Sequence, residues 1–185
     1  MAEFTAGGTG ANSPAGPRPG SGYAALMPAH RAARPRLSAG ALFRDSHGRV
    51  LLVNPTYKNK WNFPGGGVDK GESPYQACVR EVREELGITP PIGALLATGW
   101  RGRDGRSGKL FFVFDGGELD PASQAAIRLD PVELSEHLFA DPDRAVELVP
   151  GWLGQLLTTA VAAHAEQTAR YVELAPTTPI GAARC

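Results

Sequence analysis

The chain of 185 residues has little cysteine, no excess of either charge and no long apolar run. Cys78 and Cys185 lie far apart in the sequence, so neither a disulfide framework nor a cysteine-based zinc site is expected. Lysine and arginine total 19, as do aspartate and glutamate, so no global basic field is available to hold a nucleic acid polymer or an anionic membrane. No apolar run is long enough to cross a bilayer, and the N-terminus lacks the basic-then-apolar order of a secretory signal. We therefore expect a soluble cytoplasmic protein in which any phosphate binding is local.

Large apolar residues are also scarce at both ends of the chain. Residues 1–35 and 176–185 are rich in small residues and proline, and such segments cannot bury enough surface to offset their ordering entropy. We predict that both are flexible and that residues 36–175 form one domain.

The central region mixes strand and helix patterns. Residues 37–45 and 48–54 predict a hairpin across the turn DSHG, and a second strand pair follows in IGALLATGWRG and KLFFVFDG. Residues 150–169 have the length and periodicity of a helix, whereas DPVELSEHLFA is ambiguous. Strands that flank one helix and precede another indicate an α/β domain with a mixed sheet and helices packed on it.

The first helix is predicted to run from Pro74 to Leu86. Ser73 is a good N-cap, proline suits the first helical position, and Gly87 is a natural terminator. Apolar residues at helical spacing form one stripe that should face the core: Tyr75, Cys78, Val79, Val82 and Leu86.

Three glutamates of this helix, Glu81, Glu84 and Glu85, follow the spacing i, i+3, i+4 and should share another face. Like charges at this spacing destabilise a bare helix, which favours a cation lying over them. Hard divalent cations prefer carboxylate oxygens. The alternative is a solvated face on which neighbouring arginines balance the charge. The glycines at 65–67 favour the first interpretation, because they let the backbone turn tightly and approach a ligand.

The segment GGGVDKGESPYQACVREVREELGI resembles the Nudix box, G-x5-E-x7-R-E-U-x-E-E-x-G-U, in which U is a bulky aliphatic residue. Every defined position matches: Gly66, Glu72, Arg80, Glu81, Val82, Glu84, Glu85, Gly87 and Ile88. Fixed gaps across so many positions make this pattern far more specific than a lone glycine motif. The resemblance implies a Nudix-like α/β/α sandwich with a mixed sheet.

The resemblance also implies a metal site for Mg²⁺ or Mn²⁺. In the family, the glutamates that match Glu81, Glu84 and Glu85 bind the metal, and the carbonyl of the residue that matches Gly65 often joins them. We expect Glu84 and Glu85 to be ligands and Glu81 to be a ligand or the general base.

Two further box residues are expected to orient this set. By the same resemblance, Arg80 pairs with glutamates that include Glu72, so both are structural first and catalytic second. In some family members the base lies on a later loop, and the candidates here are Glu133 and Glu136. For either acid taken alone, a surface position on an irregular strand is the favoured explanation.

Besides Glu133 and Glu136, four residues outside the box are candidates for substrate binding. Trp61 and Phe63 precede the glycines and could stack on a base. Packing on the sheet explains Trp61 equally well, and a core position explains Phe63 better than stacking does. Arg101 and Arg103 lie in the glycine-containing segment WRGRDGRSGK and could hold a terminal phosphate.

The resemblance implies a pyrophosphohydrolase that cleaves a diphosphate linkage in a nucleoside triphosphate or another nucleoside diphosphate-X compound by attack of water on phosphorus. Its expected partner is a small diphosphate, preferentially a nucleotide. Two alternatives stay open: hydrolysis of a non-nucleotide diphosphate such as an isoprenoid, and a non-catalytic domain that binds a nucleotide and regulates another protein. Dimers are frequent among similar proteins, so a homodimer is compatible with the sequence.

Overall fold

A computed structural model describes residues 33–58, 60–103 and 106–174, without the side chains of Arg103 and Arg106. The predicted flexible ends therefore fall almost entirely outside the described residues. The described part contains seven strands and four helices: β1 Arg36–Arg44, β2 Val50–Pro55, β3 Gly65–Gly67, α1 Pro74–Leu86, β4 Leu95–Arg103, β5 Arg106–Glu118, α2 Pro121–Ala125, β6 Leu134–Ala140, α3 Pro142–Leu148, α4 Gly151–Ala165 and β7 Arg170–Glu173.

The strands form one mixed sheet in the order β6-β2-β1-β5-β4-β7, with β3 paired to β1. The β1–β5 and β4–β7 pairs are parallel and the other pairs are antiparallel. The two predicted strand pairs are present, since β1 pairs with β2 and β4 with β5. β1 meets β2 near Arg44 and β3 at residues 38–40, so the glycine strand is held at the centre of the sheet.

Helices cover both faces of this sheet. Alternate residues of β2 point to opposite sides: Leu51 and Val53 pack with α1, whereas Val50 and Leu52 pack with α3 and α4. Each face therefore has its own apolar core. The expected α/β/α sandwich with a mixed sheet is confirmed.

The predicted bounds of α1 are also confirmed. Ser73 forms a capping box with Gln76, and Gly87 ends the helix in the left-handed region at φ 66°. The predicted apolar stripe is partly wrong, because Tyr75 and Val79 are 45% and 39% exposed. The buried face is turned instead toward Ala77 and Glu85.

The reason for this rotation is a polar contact with the sheet. The Glu85 carboxylate accepts a hydrogen bond from the backbone N–H of Gly65 on β3, so this side of α1 lies against the sheet. Tyr75 is left at the rim, where its ring meets Phe114 edge to face and its hydroxyl donates to the carbonyl of Ile92.

The second half of the chain departs from the sequence-based prediction in three places. The ambiguous DPVELSEHLFA segment ends in strand β6, and short helices α2 and α3 were not predicted. The last helix, predicted to reach residue 169, ends at Ala165. The chain then turns and adds β7 to the edge of the sheet, parallel to β4. Among the residues that the structure describes, no helix is long and apolar enough to span a bilayer.

Candidate active site

Arg80 ties the polar residues of α1 to the loop before it. Its guanidinium forms a two-pronged contact with Glu72, with Nε–Oε1 at 3.0 Å and Nη2–Oε2 at 2.9 Å. Its Nη1 donates to Oε1 of Glu81 at 2.9 Å and to Oε2 of Glu84 at 3.1 Å. Its Nη2 also donates to the carbonyl of Gly67 at 3.0 Å. One cation therefore collects three carboxylates and fixes the glycine strand beside them.

Two glycines of β3 allow this approach because they lack a Cβ. A Cβ on Gly66 would lie 2.4 Å from Oε1 of Glu81. Gly65 has φ +139°, and a Cβ there would lie 2.3 Å from the carbonyl oxygen of Ala39. Side chains at these positions would displace either the Glu81 carboxylate or strand β1. Gly67 differs, since a Cβ there meets nothing within 4 Å.

Glu85 is the most deeply buried carboxylate of the group, with 7% of its surface exposed. Burial, helped by the charges of Glu81 and Glu133, raises its pKa to about 8, against the lowering effect of the hydrogen bond from the Gly65 N–H at 2.6 Å. Burial likewise raises the pKa of Glu81, although its contact with Arg80 opposes this. The fold thus holds carboxylates where their negative charge is unfavourable unless a cation is near.

These residues have the donor chemistry of a site for a hard divalent cation. Glu81, Glu84 and Glu85 supply carboxylate oxygens, and β3 brings the backbone of Gly65 against Glu85. Within residues 33–174, gaps excepted, no three acidic, histidine or cysteine side chains are already arranged around one metal position. One oxygen of each of the three glutamates instead accepts a hydrogen bond from Arg80 or from the Gly65 N–H. The glycine at position 66 leaves room for the Glu81 carboxylate, and the hard oxygen donors of this set are compatible with the metal expected from the sequence.

The two later acids are placed differently. Glu133 lies in the loop before β6, and its charge raises the pKa of both Glu81 and Glu85. Its carbonyl accepts a hydrogen bond from the N–H of Thr56, which ties this loop to the end of β2. Glu136 instead accepts a hydrogen bond from the side chain of Asn54 on β2, at 2.9 Å. The structure brings Glu133, rather than Glu136, into the electrostatic environment of the box.

A cleft of about 390 Å³ opens beside the glycine strand. Gly65, Gly66 and Gly67 line it, so the cleft and the carboxylates share one backbone segment. Trp61 and Phe63 also line it, but Phe63 is only 5% exposed and belongs to the core, and Trp61 packs against the same core. Both proposed base-stacking residues therefore serve packing as well.

Much of the cleft is built from residues that sequence reasoning missed. Phe111 of β5 and Trp152 of α4 line it, with ring centroids 4.6 Å apart, and Lys109 and Arg36 add positive charge. Arg101, predicted as a phosphate contact, lies with its guanidinium 4.8 Å from the centroid of the Trp152 ring. The alternation of β5 could have placed Lys109 and Phe111 on one face, but no sequence signal joins that strand to α4. The side chain of Arg103 lies outside the described residues.

Comparisons with known proteins agree with this geometry. A model of the NUDIX domain matches residues 34–158. An RNA pyrophosphohydrolase of Vibrio cholerae is 41% identical over 63 residues, which are 34% of this chain and 37% of that protein. The alignments with the first curated relatives thus span little more than a third of their length.

Solved structures match over more of the fold. A MutT protein from Methanosarcina mazei Go1 superposes with a TM-score of 0.59 and 25% identity, covering 72% of this chain and 96% of that one. An Ap4A hydrolase of C. elegans gives a TM-score of 0.59 and 25% identity, covering 71% and 98%. Since the family model spans most of the domain and the box forms the carboxylate site described above, the chain belongs to the Nudix hydrolase family.

Proposed function

We propose that the protein is a metal-dependent pyrophosphohydrolase that cleaves a diphosphate linkage in a nucleoside triphosphate or another nucleoside diphosphate-X compound. The observation that carries this proposal is the gathering of Glu72, Glu81 and Glu84 by Arg80, at a glycine strand that also lines a cleft. Water attack on phosphorus needs neutralised phosphate oxygens, an activated water molecule and a fixed geometry. The described residues are suited to supply these needs.

Glu84 and Glu85 are proposed as metal ligands, with Glu81 as a third ligand or the base and the carbonyl of Gly65 as a further donor. A divalent cation held there would neutralise the diphosphate and lower the pKa of a water molecule. Arg80 holds the glutamates in place through its contacts with Glu72, Glu81 and Glu84. Its role is to position carboxylates rather than to contact the reacting atoms.

The general base is proposed to be either Glu81 or Glu133. Both lie in the same electrostatic environment, since the charge of Glu133 raises the pKa of Glu81. A base must remove a proton from the attacking water, so its loss lowers kcat more than it weakens metal binding. Parallel measurement of kcat and of Mn²⁺ affinity in Glu81→Gln and Glu133→Gln separates base from ligand.

A hydrolysis panel tests the proposed activity. It contains canonical and oxidised nucleoside triphosphates, sugar nucleotides, dinucleoside polyphosphates, isoprenoid diphosphates and a short 5′-triphosphorylated RNA, each with Mg²⁺, Mn²⁺ or EDTA. The RNA is included because curated relatives are RNA pyrophosphohydrolases. Turnover of one class that disappears in EDTA supports the proposal. No metal-dependent turnover of any member contradicts it.

A regulatory domain that binds a nucleotide without hydrolysing it is the alternative from another functional class. Such a domain has no need for the complete carboxylate set. Glu84→Gln distinguishes the two, because Glu84 is half exposed and its replacement leaves the core intact. Loss of turnover with retained nucleotide binding supports the enzyme. Wild-type protein that binds a nucleotide and never turns it over supports the regulatory domain.

A further inference from the structure

The cleft beside the glycine strand carries positive charge. Arg36, Lys58 and Lys109 line it, and Arg101 lies close enough that its charge, with those of Arg36 and Lys58, lowers the pKa of Lys109 beyond the effect of burial. The whole chain has no net charge, so this accumulation is local.

None of these four cations forms an ion pair within the part of the chain that the structure describes. Lys58 is attracted by Glu85, but the two are not in contact. Elsewhere arginines such as Arg44, Arg80 and Arg144 do pair with carboxylates. Like charges that form no ion pair repel each other, and an anionic ligand relieves that repulsion.

Aromatic rings contact three of these cations, among them Lys58, whose ammonium lies 5.2 Å from the centroid of the Tyr57 ring. The ammonium of Lys109 lies 4.5 Å from the centroid of Phe111, and the guanidinium of Arg101 lies 4.8 Å from that of Trp152. The two rings are themselves in contact at 4.6 Å. Cation–π contacts of this kind fix the charges on one wall of the cleft before any ligand arrives.

In the proposed function the carboxylates and their metal serve the scissile diphosphate, so these unpaired cations are available to another anionic group of the substrate. Resting on the proposed function, we infer that the group X carries phosphate charge of its own, held by Lys109 and Arg36, as in a nucleoside tri- or tetraphosphate. An uncharged X, such as a hexose or an isoprenoid chain, leaves these cations without a partner in a partly apolar cleft. Lys109 and Arg36, which form the basic wall of the cleft, thus select substrates in which X is phosphorylated.

The test compares two substrates with the same nucleoside. ATP has a phosphorylated X, and ADP-glucose has an uncharged sugar beyond its diphosphate. In Lys109→Gln we expect kcat/KM for ATP to fall about 10-fold, the loss that corresponds to about 1.4 kcal/mol, and that for ADP-glucose to change less than twofold. Lys109→Arg should recover most of the ATP activity. Lys60→Gln, an exposed lysine of the neighbouring loop outside the cleft lining, is the matched control.

Binding provides a readout that does not depend on turnover. Calorimetry with inorganic tripolyphosphate in Mg²⁺ should show about 10-fold weaker binding in Lys109→Gln and in Arg36→Gln than in wild type or Lys60→Gln. Arg36 lies exposed at the start of β1, so its replacement also guards against a folding defect at Lys109.

The outcomes separate the two proposals. If ATP and ADP-glucose lose activity equally in Lys109→Gln, or if tripolyphosphate binds all variants alike, the charged-X inference is wrong while the hydrolase proposal stands. If no substrate is hydrolysed but tripolyphosphate binding falls in both cleft variants, the hydrolase proposal fails and the phosphate-binding wall stands.

Discussion

Glu85→Gln should change how the stability of the metal-free protein depends on pH. Burial raises the pKa of the Glu85 carboxyl to about 8 from an ordinary value of 4.5. The charges of Glu81 and Glu133 act in the same direction, and the Gly65 N–H and Lys58 oppose them. Between these two pH values the folded protein holds a proton that the unfolded chain has released.

The sign and size of the change in the free energy of unfolding with pH follow from proton linkage. Below pH 4.5 the carboxyl is protonated in both states, so its contribution to stability is fully present. As pH rises toward 8, the free energy of unfolding should fall by up to about 1.4 kcal/mol per pH unit. From pH 5.5 to pH 7.5, this amounts to about 3 kcal/mol at most for one group.

Urea unfolding in EDTA at pH 5.5, 6.5 and 7.5 measures this slope. Glutamine stays neutral and can still accept the hydrogen bond from Gly65, so Glu85→Gln should flatten the slope and be more stable than wild type at pH 7.5. Every other titrating group is common to both proteins, so their difference isolates Glu85. Glu84→Gln is the control and should follow wild type, because Glu84 is half exposed. Parallel slopes for wild type and Glu85→Gln would show that folding does not raise the pKa of Glu85.

Three further outcomes follow from the site. Gly66→Ala should lower activity at least about 10-fold, because its Cβ displaces the Glu81 carboxylate. Gly67→Ala should retain activity, because a Cβ at that position meets open space. Equal losses of activity in a kinetic assay would contradict this. Ser73→Ala should lower the free energy of unfolding in urea by about 1 kcal/mol through loss of the helix cap, and should leave KM unchanged. Arg80→Lys keeps the charge but lacks the planar fork, so kcat should fall while the circular dichroism spectrum is retained; unchanged kcat would remove Arg80 as a positioning residue.

Local chemistry allowed the sequence to predict the helix of the box. Ser73, Pro74 and Gly87 mark its ends through interactions with their near neighbours, and the structure has those ends. Which side of the helix is buried depends on the part of the sheet against which the helix packs. Tyr75 and Val79 are exposed because the Gly65 N–H donates a hydrogen bond to the Glu85 carboxylate. The spacing of apolar residues in the sequence does not predict this hydrogen bond.

The cleft and the sheet edge could not be predicted for the same reason. Lys109 and Trp152 lie far apart in the sequence and meet only because β5 and α4 pack on the same face. β7 has only four residues, and most of them are exposed, so its sequence carries little strand signal. The strand forms by pairing with β4. The glutamates were found because one short segment contains them all.

Tracing the oxygen atom of water tests most directly whether the protein catalyses metal-dependent attack of water on phosphorus. The preferred substrate of the panel is hydrolysed in ¹⁸O-labelled water with Mg²⁺, and the masses of both products are measured by mass spectrometry. Metal-dependent attack of water on phosphorus should place one ¹⁸O atom on a single phosphoryl product with the wild type, and this product should be lost in EDTA and in Glu84→Gln. Label that appears in no phosphoryl product, or turnover that is unchanged in EDTA and in Glu84→Gln, would contradict this mechanism.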